Sequence, residues 1–515
     1  MHSDRPRAAP RATRRAFGAV ARQVGWRWVL LGLAGSALLA AVSPPLLTSF
    51  DGPAVSWWYG LTAPGRNGVW TSAAAYAGIA AVITSWAAVG SRLRRRGGPA
   101  RVLLAPLAAW TAPLLVGPPL FSRDIYSYLS QATLTDLHLS PYTHVAAALA
   151  ATPARAVLHT VAPAWRHTLS PYGPLFLWLG STLVDLAGRG VIAGVLVMRL
   201  PAVIGFLLMA VFVPRLARSS GADPRRALWL GVLSPLVLFE LVAAGHNDAL
   251  MVGLMVAGLA LATEDHPVGG VALCAVAAMV KLPALVGCVA IAVAWARTRP
   301  DRMSAARSVA VSAAASGGVI AAISASTGLG FAWLSPAVLL TPARGSIELT
   351  PSTAVGDTIV AAAHLVGVRL PVGPTVTAVW VLTLVAAGFL GGRLVLGGRV
   401  ERLAAVVAAA LLAVVVAGPA LWPWYLTWGF TLLATVPGAQ WSRWLPVATA
   451  GACVVLAPTG QINITSTEGP YVTAGWLAVA ILAAYRFRSR RSGPERPDEA
   501  AKPLPATVAA AESLL

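Results

Sequence analysis

Apolar residues run along this chain in blocks of about ten to twenty-eight, separated by polar stretches in several of which arginines cluster. The blocks cover residues 28–47, 69–89, 102–120, 172–186, 192–213, 228–244, 249–262, 268–295, 309–324, 376–390, 403–421, 447–456 and 472–485. A run of about 20 apolar residues wound as a helix crosses a hydrocarbon core of about 30 Å, and only helices or closed barrels satisfy their own backbone there. The pattern therefore predicts an all-α polytopic membrane protein with about 13 to 15 membrane helices, broken or re-entrant ones included. Arginines fix the orientation. The groups at Arg5–Arg22, Arg92–Arg96, Arg215–Arg226, Arg297–Arg302 and Arg393–Arg402 belong on the cytoplasmic side, as do both termini.

This counting divides the chain into a basic cytoplasmic segment (1–25), three leading spans (26–120), a polar external loop (121–170), a multi-span body (171–486) and a disordered cytoplasmic tail (487–515). Three places are expected to break the regular crossing. Residues 172–186, interrupted at their start by Pro171, Gly173 and Pro174, are expected to form a shallow or re-entrant helix. Block 268–295 starts and ends on the cytoplasmic side and contains Lys281-Leu282-Pro283 at its middle, so two half-helices are expected to meet at the lysine. Residues 324–371 are expected to form a long external segment.

Composition agrees with the pattern: 57% of the 515 residues are hydrophobic and only 11% charged, with a mean hydropathy of +0.70, against about 25% charged residues in soluble domains. The net charge of +20 comes from the orienting arginine clusters, so it implies contact with membrane lipids and no nucleic acid. Cys274, Cys288 and Cys453 lie inside apolar blocks without metal or redox spacing, which implies no disulfide framework and no metal site. Thr13-Arg14-Arg15-Ala16-Phe17 imitates a twin-arginine export signal, but no soluble domain follows, and it reads as the uncleaved basic flank of the first span. Asn463-Ile464-Thr465 fits a glycosylation acceptor and is assigned no role.

Chemistry gathers where polar residues interrupt the apolar pattern on the outer side. Arg123 and Asp124 open the external loop, with Tyr126 and Tyr128 behind them. Tyr172, His246, Asn247, Asp248, Lys281, Trp422 and Tyr425 reach the same interface. A carboxylate that takes a proton, cations that hold a phosphate and aromatic faces that lie against sugar rings suit glycosyl transfer from a lipid phosphate. Blander roles stay open: Arg123 and Asp124 as a helix end anchored in headgroups, His246-Asn247-Asp248 as an N-cap, Lys281 as a snorkelling lysine, Trp422 and Tyr425 as an aromatic belt. Broken helices also suit an ion-coupled transporter, although its spans would carry more acidic residues; a non-catalytic lipid-binding or scaffolding protein is the third class.

RDIYSY at 123–128, PYGPL at 171–175, GHNDALM at 245–251, VKLP at 280–283 and WPWYLTW at 422–428 together make the chain resemble the polyprenol-phosphate-mannose-dependent alpha-1,6-mannosyltransferases of actinobacterial envelope assembly, which are GT-C glycosyltransferases. The resemblance covers about 120–428. It implies a GT-C-like body, a lipid-linked donor (polyprenyl-phosphate mannose), an alpha-1,6-mannan acceptor such as lipomannan, no cofactor and an extracytoplasmic active site in the cell membrane. It also implies inversion, with Asp124 as the acidic residue of the catalytic loop and its general base. Lys281 and Arg123 are expected to hold the donor phosphate, and Tyr126, Tyr128, Tyr172, His246, Asn247, Asp248, Trp422 and Tyr425 to bind sugar or acceptor. A GT-C enzyme using another polyprenyl-phosphate sugar remains the alternative. One departure stands out: such enzymes carry the acid in their first external loop, whereas counting here puts Asp124 in the second, as two extra leading spans would.

Overall fold

The structure is a computed structural model and describes residues 20, 22–47, 69–96, 98–188, 190–341, 349–397, 402–458, 460 and 469–491. Most of residues 1–25, the twin-arginine-like stretch, Asn463 and the tail beyond 491 lie outside the described residues. Among the described residues every regular element is helical.

Of three leading helices, α1 (Trp26–Leu47), α2 (Val69–Arg96) and α3 (Leu104–Val116), the first packs against each of the other two. One tie to the rest is a pair of tryptophans. Trp86 of α2 stacks on Trp229 at 4.7 Å, and each indole N–H donates to the other's backbone carbonyl, at 3.0 and 2.9 Å. Each ring buries its apolar face and satisfies its polar edge in one contact, which a buried tryptophan requires.

The expected external loop is itself structured: α4 (Asp124–Asp136) begins at the catalytic candidate and is buried along nearly its whole length. It packs on α5 (Pro174–Ala187), whose 14 residues are too short to cross the core unaided. Next come α6 (Val191–Met198) and α7 (Leu200–Ser219), which together form one candidate span. Arg199 lies between them. It disturbs charge counting because it is no topology signal: the residue is 3% exposed, and its guanidinium donates to the carbonyls of Leu115 and Ala243.

Helix α8 (Pro224–Gly231) starts at Asp223, whose carboxylate accepts the Arg225 N–H at 2.9 Å. A π-helical turn (Val237–Ala243) and α9 (Asp248–Thr263) follow, bent by 114° across Ala244–Asn247. Gly245 makes that bend with φ of +74°, a left-handed conformation that a side chain resists. Asn247 occupies the N-cap position of α9 without a side-chain capping bond, so the cap reading of this motif is not what the structure contains.

The expected break at the lysine is present: α10 (Pro267–Ala278) stops before Lys281 and α11 (Leu285–Arg297) starts after it. Then come α12 (Arg302–Ser326) and α13 (Pro351–Leu365). The latter lies within the 324–371 stretch expected to be external and gives it helical structure. The last helices are α14 (Val372–Gly397), α15 (Leu403–Ala417), α16 (Pro423–Leu433), α17 (Ala439–Ala452) and α18 (Gly469–Arg491).

Of the 13 to 15 membrane helices expected, four described helices are long and apolar enough to cross a membrane, or five counting the bent pair. Six shorter apolar helices of 10–17 residues accompany them. Prolines and polar turns divide the apolar blocks more finely than hydropathy shows.

Candidate active site

A cavity of about 430 Å³ opens where α4, the 162–173 loop, the Lys281 break, α15 and the start of α16 converge. The backbone approaching it is strained at one point. Phe121 has φ of +65°, unusual for a bulky residue, and is held there by a ring stack on Phe239 at 5.0 Å and by its N–H donating to Pro458 O at 2.9 Å. The chain then turns through Ser122, whose Oγ accepts the Asp124 N–H at 3.1 Å, and releases Arg123 and Asp124 into the cavity wall. The Arg123 guanidinium donates to Thr160 O at 2.6 Å.

Asp124 keeps 18% of its side-chain surface open. It stands outside the candidate spans. Burial is the main influence on its carboxyl; Lys281 pulls the other way and Asp248 adds to the rise, leaving the pKa raised to about 6. His246 faces it, with Nε2 3.7 Å from the carboxylate. His246 is fully buried, stacked on Trp424 at 4.1 Å, and its Nδ1 lies 2.6 Å from Glu240 O. A carbonyl can only accept, so Nδ1 carries the proton and Nε2 is the nitrogen turned toward Asp124.

Lys281 is locally compensated. Its Nζ donates to both oxygens of Asp248 at 2.9 Å, and Asp248 also accepts from the Trp428 indole at 2.6 Å. The rings of Tyr425, Trp428 and Tyr172 surround the ammonium at 4.6, 5.3 and 5.7 Å from their centroids. Asp248 is fully buried while Lys281 lines the cavity. The lysine is therefore a fixed cation, held by a carboxylate behind it and aromatic faces beside it.

Two of the sequence motifs hold each other through backbone bonds. Gly173 N–H donates to Val280 O at 3.0 Å and Leu175 N–H to Met279 O at 3.1 Å, so the 171–175 loop satisfies carbonyls that the broken helix leaves free. A Cβ on Gly173 would come within 2.1 Å of Met279 O, which only glycine avoids. The two Ser-Pro-Tyr stretches also meet: Tyr142 Oη donates to Tyr172 O at 2.8 Å and Ser170 N–H to Pro141 O at 3.0 Å.

Arg123, Asp124, Tyr172, Lys281, Trp422 and Tyr425 all line the cavity. Tyr126, Tyr128, His246, Asn247 and Asp248 do not. Tyr126 is 5% exposed, and Tyr128 packs edge-on against Tyr172 and Phe176 and donates to Asn247 Oδ1 at 3.4 Å. These five, expected from sequence to bind sugar or acceptor, are therefore absent from the lining of this cavity. Ser127 and Gln131 line the cavity instead. The sequence reading missed both; helical phase from Asp124 (i, i+3, i+7) places them on its face but does not say which face meets the cavity. Trp333, Val338, Leu339, Leu384, Val414 and Val415 form apolar wall contributed by distant segments, for which the sequence carried no local signal. Among the described residues no group of three His, Cys, Asp or Glu side chains is arranged to hold a metal ion.

Residues 28–297 match the family model described as "Alpha-(1->6)-mannopyranosyltransferase, N-terminal domain", and residues 352–488 match that of the "MptB C-terminal domain". The chain belongs to the alpha-(1->6)-mannopyranosyltransferase family. It is 32% identical over 489 residues to the alpha-(1->6)-mannopyranosyltransferase A of Mycobacterium tuberculosis, covering 90% of each chain. Identity is 33% over 460 residues, 79% of each chain, with a probable alpha-(1->6)-mannopyranosyltransferase of Mycolicibacterium smegmatis. With the alpha-(1->6)-mannopyranosyltransferase A of Corynebacterium glutamicum it is 34% over 258 residues, 47% of this chain and 52% of the relative. No solved structure matches the chain. The protein is thus a membrane glycosyltransferase of mannosyltransferase kinship, and its cavity is the candidate active site.

Proposed function

We propose that this mannosyltransferase, a GT-C-type enzyme of the cell membrane, moves mannose from polyprenyl-phosphate mannose to an alpha-1,6-mannan acceptor such as lipomannan, on the extracytoplasmic face and with inversion. The observation that carries the reading is the cavity wall. An open carboxylate at Asp124 and cations at Lys281 and Arg123 share it with an apolar surface from Trp333, Val338, Leu339, Leu384, Val414 and Val415. Such a surface suits the hydrocarbon of a lipid phosphate beside the polar groups that its head needs.

In the proposed step the acceptor hydroxyl attacks the anomeric carbon, its oxygen bonds there as the carbon–oxygen bond to phosphate breaks, and the hydroxyl proton passes to Asp124. The lipid phosphate leaves as an anion, so it requires cations and no acid, and one carboxylate suffices where inverting glycosidases use two. A carboxyl with a pKa near 6 is ionised at neutral pH yet basic enough to take the proton. Lys281, locked by Asp248, and Arg123 meet the phosphate without reorganising, which is how fixed charges lower a barrier. Residues behind the wall, His246 and Asn247 among them, hold these groups. The reading needs no cofactor, and donor, acceptor and membrane lipids are its partners.

The test is transfer by purified protein from a panel of polyprenyl-phosphate sugars to a short alpha-1,6-mannoside. Mannose is the sugar expected to move. Exclusive use of another sugar would replace the donor, and substrate movement without transfer would point to a carrier.

A further inference from the structure

Asp124, Ser127 and Gln131 stand at i, i+3 and i+7 of α4, one face of the helix, and all line the cavity. Ser127 is 5% and Gln131 9% exposed, unusual burial for polar residues on a cavity wall. The Ser127 Oγ is buried and has no hydrogen-bond partner among the described residues, a destabilising arrangement that a ligand hydroxyl would relieve after a turn of the serine rotor. Gln131 is held from behind: its Oε1 accepts from Ser170 Oγ at 2.9 Å, which leaves the amide N–H pair as the end it can offer. Ser170 is itself buried and accepts the Tyr172 N–H at 3.3 Å, so the glutamine rests on a fixed support.

Resting on the mannosyl-transfer reading, we propose that Ser127 and Gln131 form the acceptor subsite, Ser127 binding the sugar whose hydroxyl attacks and Gln131 binding the next sugar along. Asp124 must touch the attacking hydroxyl, so the ligand that continues past it along α4 is the acceptor. The donor's phosphate lies with Lys281 and its lipid with the apolar wall from other elements. Seven residues of helix rise about 10 Å, close to the length of two linked pyranose rings. Trp165 and Thr168, from the loop that joins the same wall, add an aromatic face and a hydroxyl.

Steady-state transfer by the purified full-length protein is measured with a methyl alpha-mannoside and with its alpha-1,6-linked dimannoside. Gln131→Leu should raise the acceptor KM for the dimannoside about two- to tenfold, the worth of one neutral hydrogen bond, and leave the monomannoside and donor KM unchanged. Gln131→Glu keeps the bond from Ser170 but loses the amide donors, and should show the same selective loss even if the leucine variant folds poorly. Ser127→Ala should raise KM for both acceptors, and Ser170→Ala should reproduce the glutamine effect in weaker form. The subsite is overturned if the Gln131 variants affect both acceptors equally, raise the donor KM, or change nothing. Wild-type protein that transfers mannose to neither acceptor overturns the mannosyl-transfer reading, and the subsite with it.

Discussion

Asp124 and Lys281 occupy opposite electrostatic situations, and each makes its own demand. Asp124 is partly open and its carboxyl is raised to about 6, chiefly by burial. Asp124→Asn keeps shape and removes the base, so turnover should fall about 10² to 10⁴-fold while donor KM stays near wild type. Transfer by that variant within a few-fold of wild type would remove Asp124 from the mechanism. The base works ionised, so wild-type kcat/KM should fall as pH drops below about 6, and the asparagine variant should lose that limb. For folding the sign is opposite: a carboxyl that holds its proton more tightly when folded contributes less stability as pH rises from 3.8 to about 6. Lys281 forms a buried pair with Asp248. Lys281→Met strands that carboxylate, a loss on the scale of about 3 to 5 kcal/mol, and should also raise the donor KM. Pairing it with Asp248→Asn should restore the thermal midpoint but not donor use. Recovery of both would reduce the lysine to a structural role.

Elements explain why the motifs are spaced across the chain. The 171–175 loop docks on the break between α10 and α11 through two backbone bonds, and the proline at 283 keeps that break from closing into a continuous helix. Gly173→Ala places a methyl into the Met279 carbonyl. It should shift the loop and Lys281 together, seen as a strong rise in donor KM in protein that still reaches the membrane; wild-type kinetics would show that the contact yields freely. The Trp86–Trp229 clasp is a stability device remote from the chemistry. Trp86→Ala should cost about 3 to 5 kcal/mol and lower the thermal midpoint, while KM values in the surviving fraction stay unchanged. A shift in KM would connect the leading helices to the site.

For the whole molecule, sidedness is the outstanding expectation. His144 and Arg299 are both exposed, and the native cysteines are buried, so background labelling should be low. In intact cells an impermeant thiol reagent should label His144→Cys and not Arg299→Cys; the reverse would place the cavity on the cytoplasmic side. Much of this was legible in the residues. Apolar block length and composition determined a helical membrane protein, because a chain this apolar must satisfy its backbone within helices. Lys281-Leu282-Pro283 announced a broken helix, because proline removes a donor and clashes one turn back. Polar residues in an apolar chain marked Arg123, Asp124 and Lys281, because burying charge without purpose is costly. Tertiary structure alone decided which face of α4 meets the cavity, sending Tyr126 and Tyr128 inward while Ser127 and Gln131 line it. It alone paired Lys281 with Asp248, 33 residues away, and brought Val338, Leu384 and Val414 to one wall. Local pattern records what each residue tolerates, but a contact between distant segments depends on how helices cross, and that is fixed only when the whole chain packs.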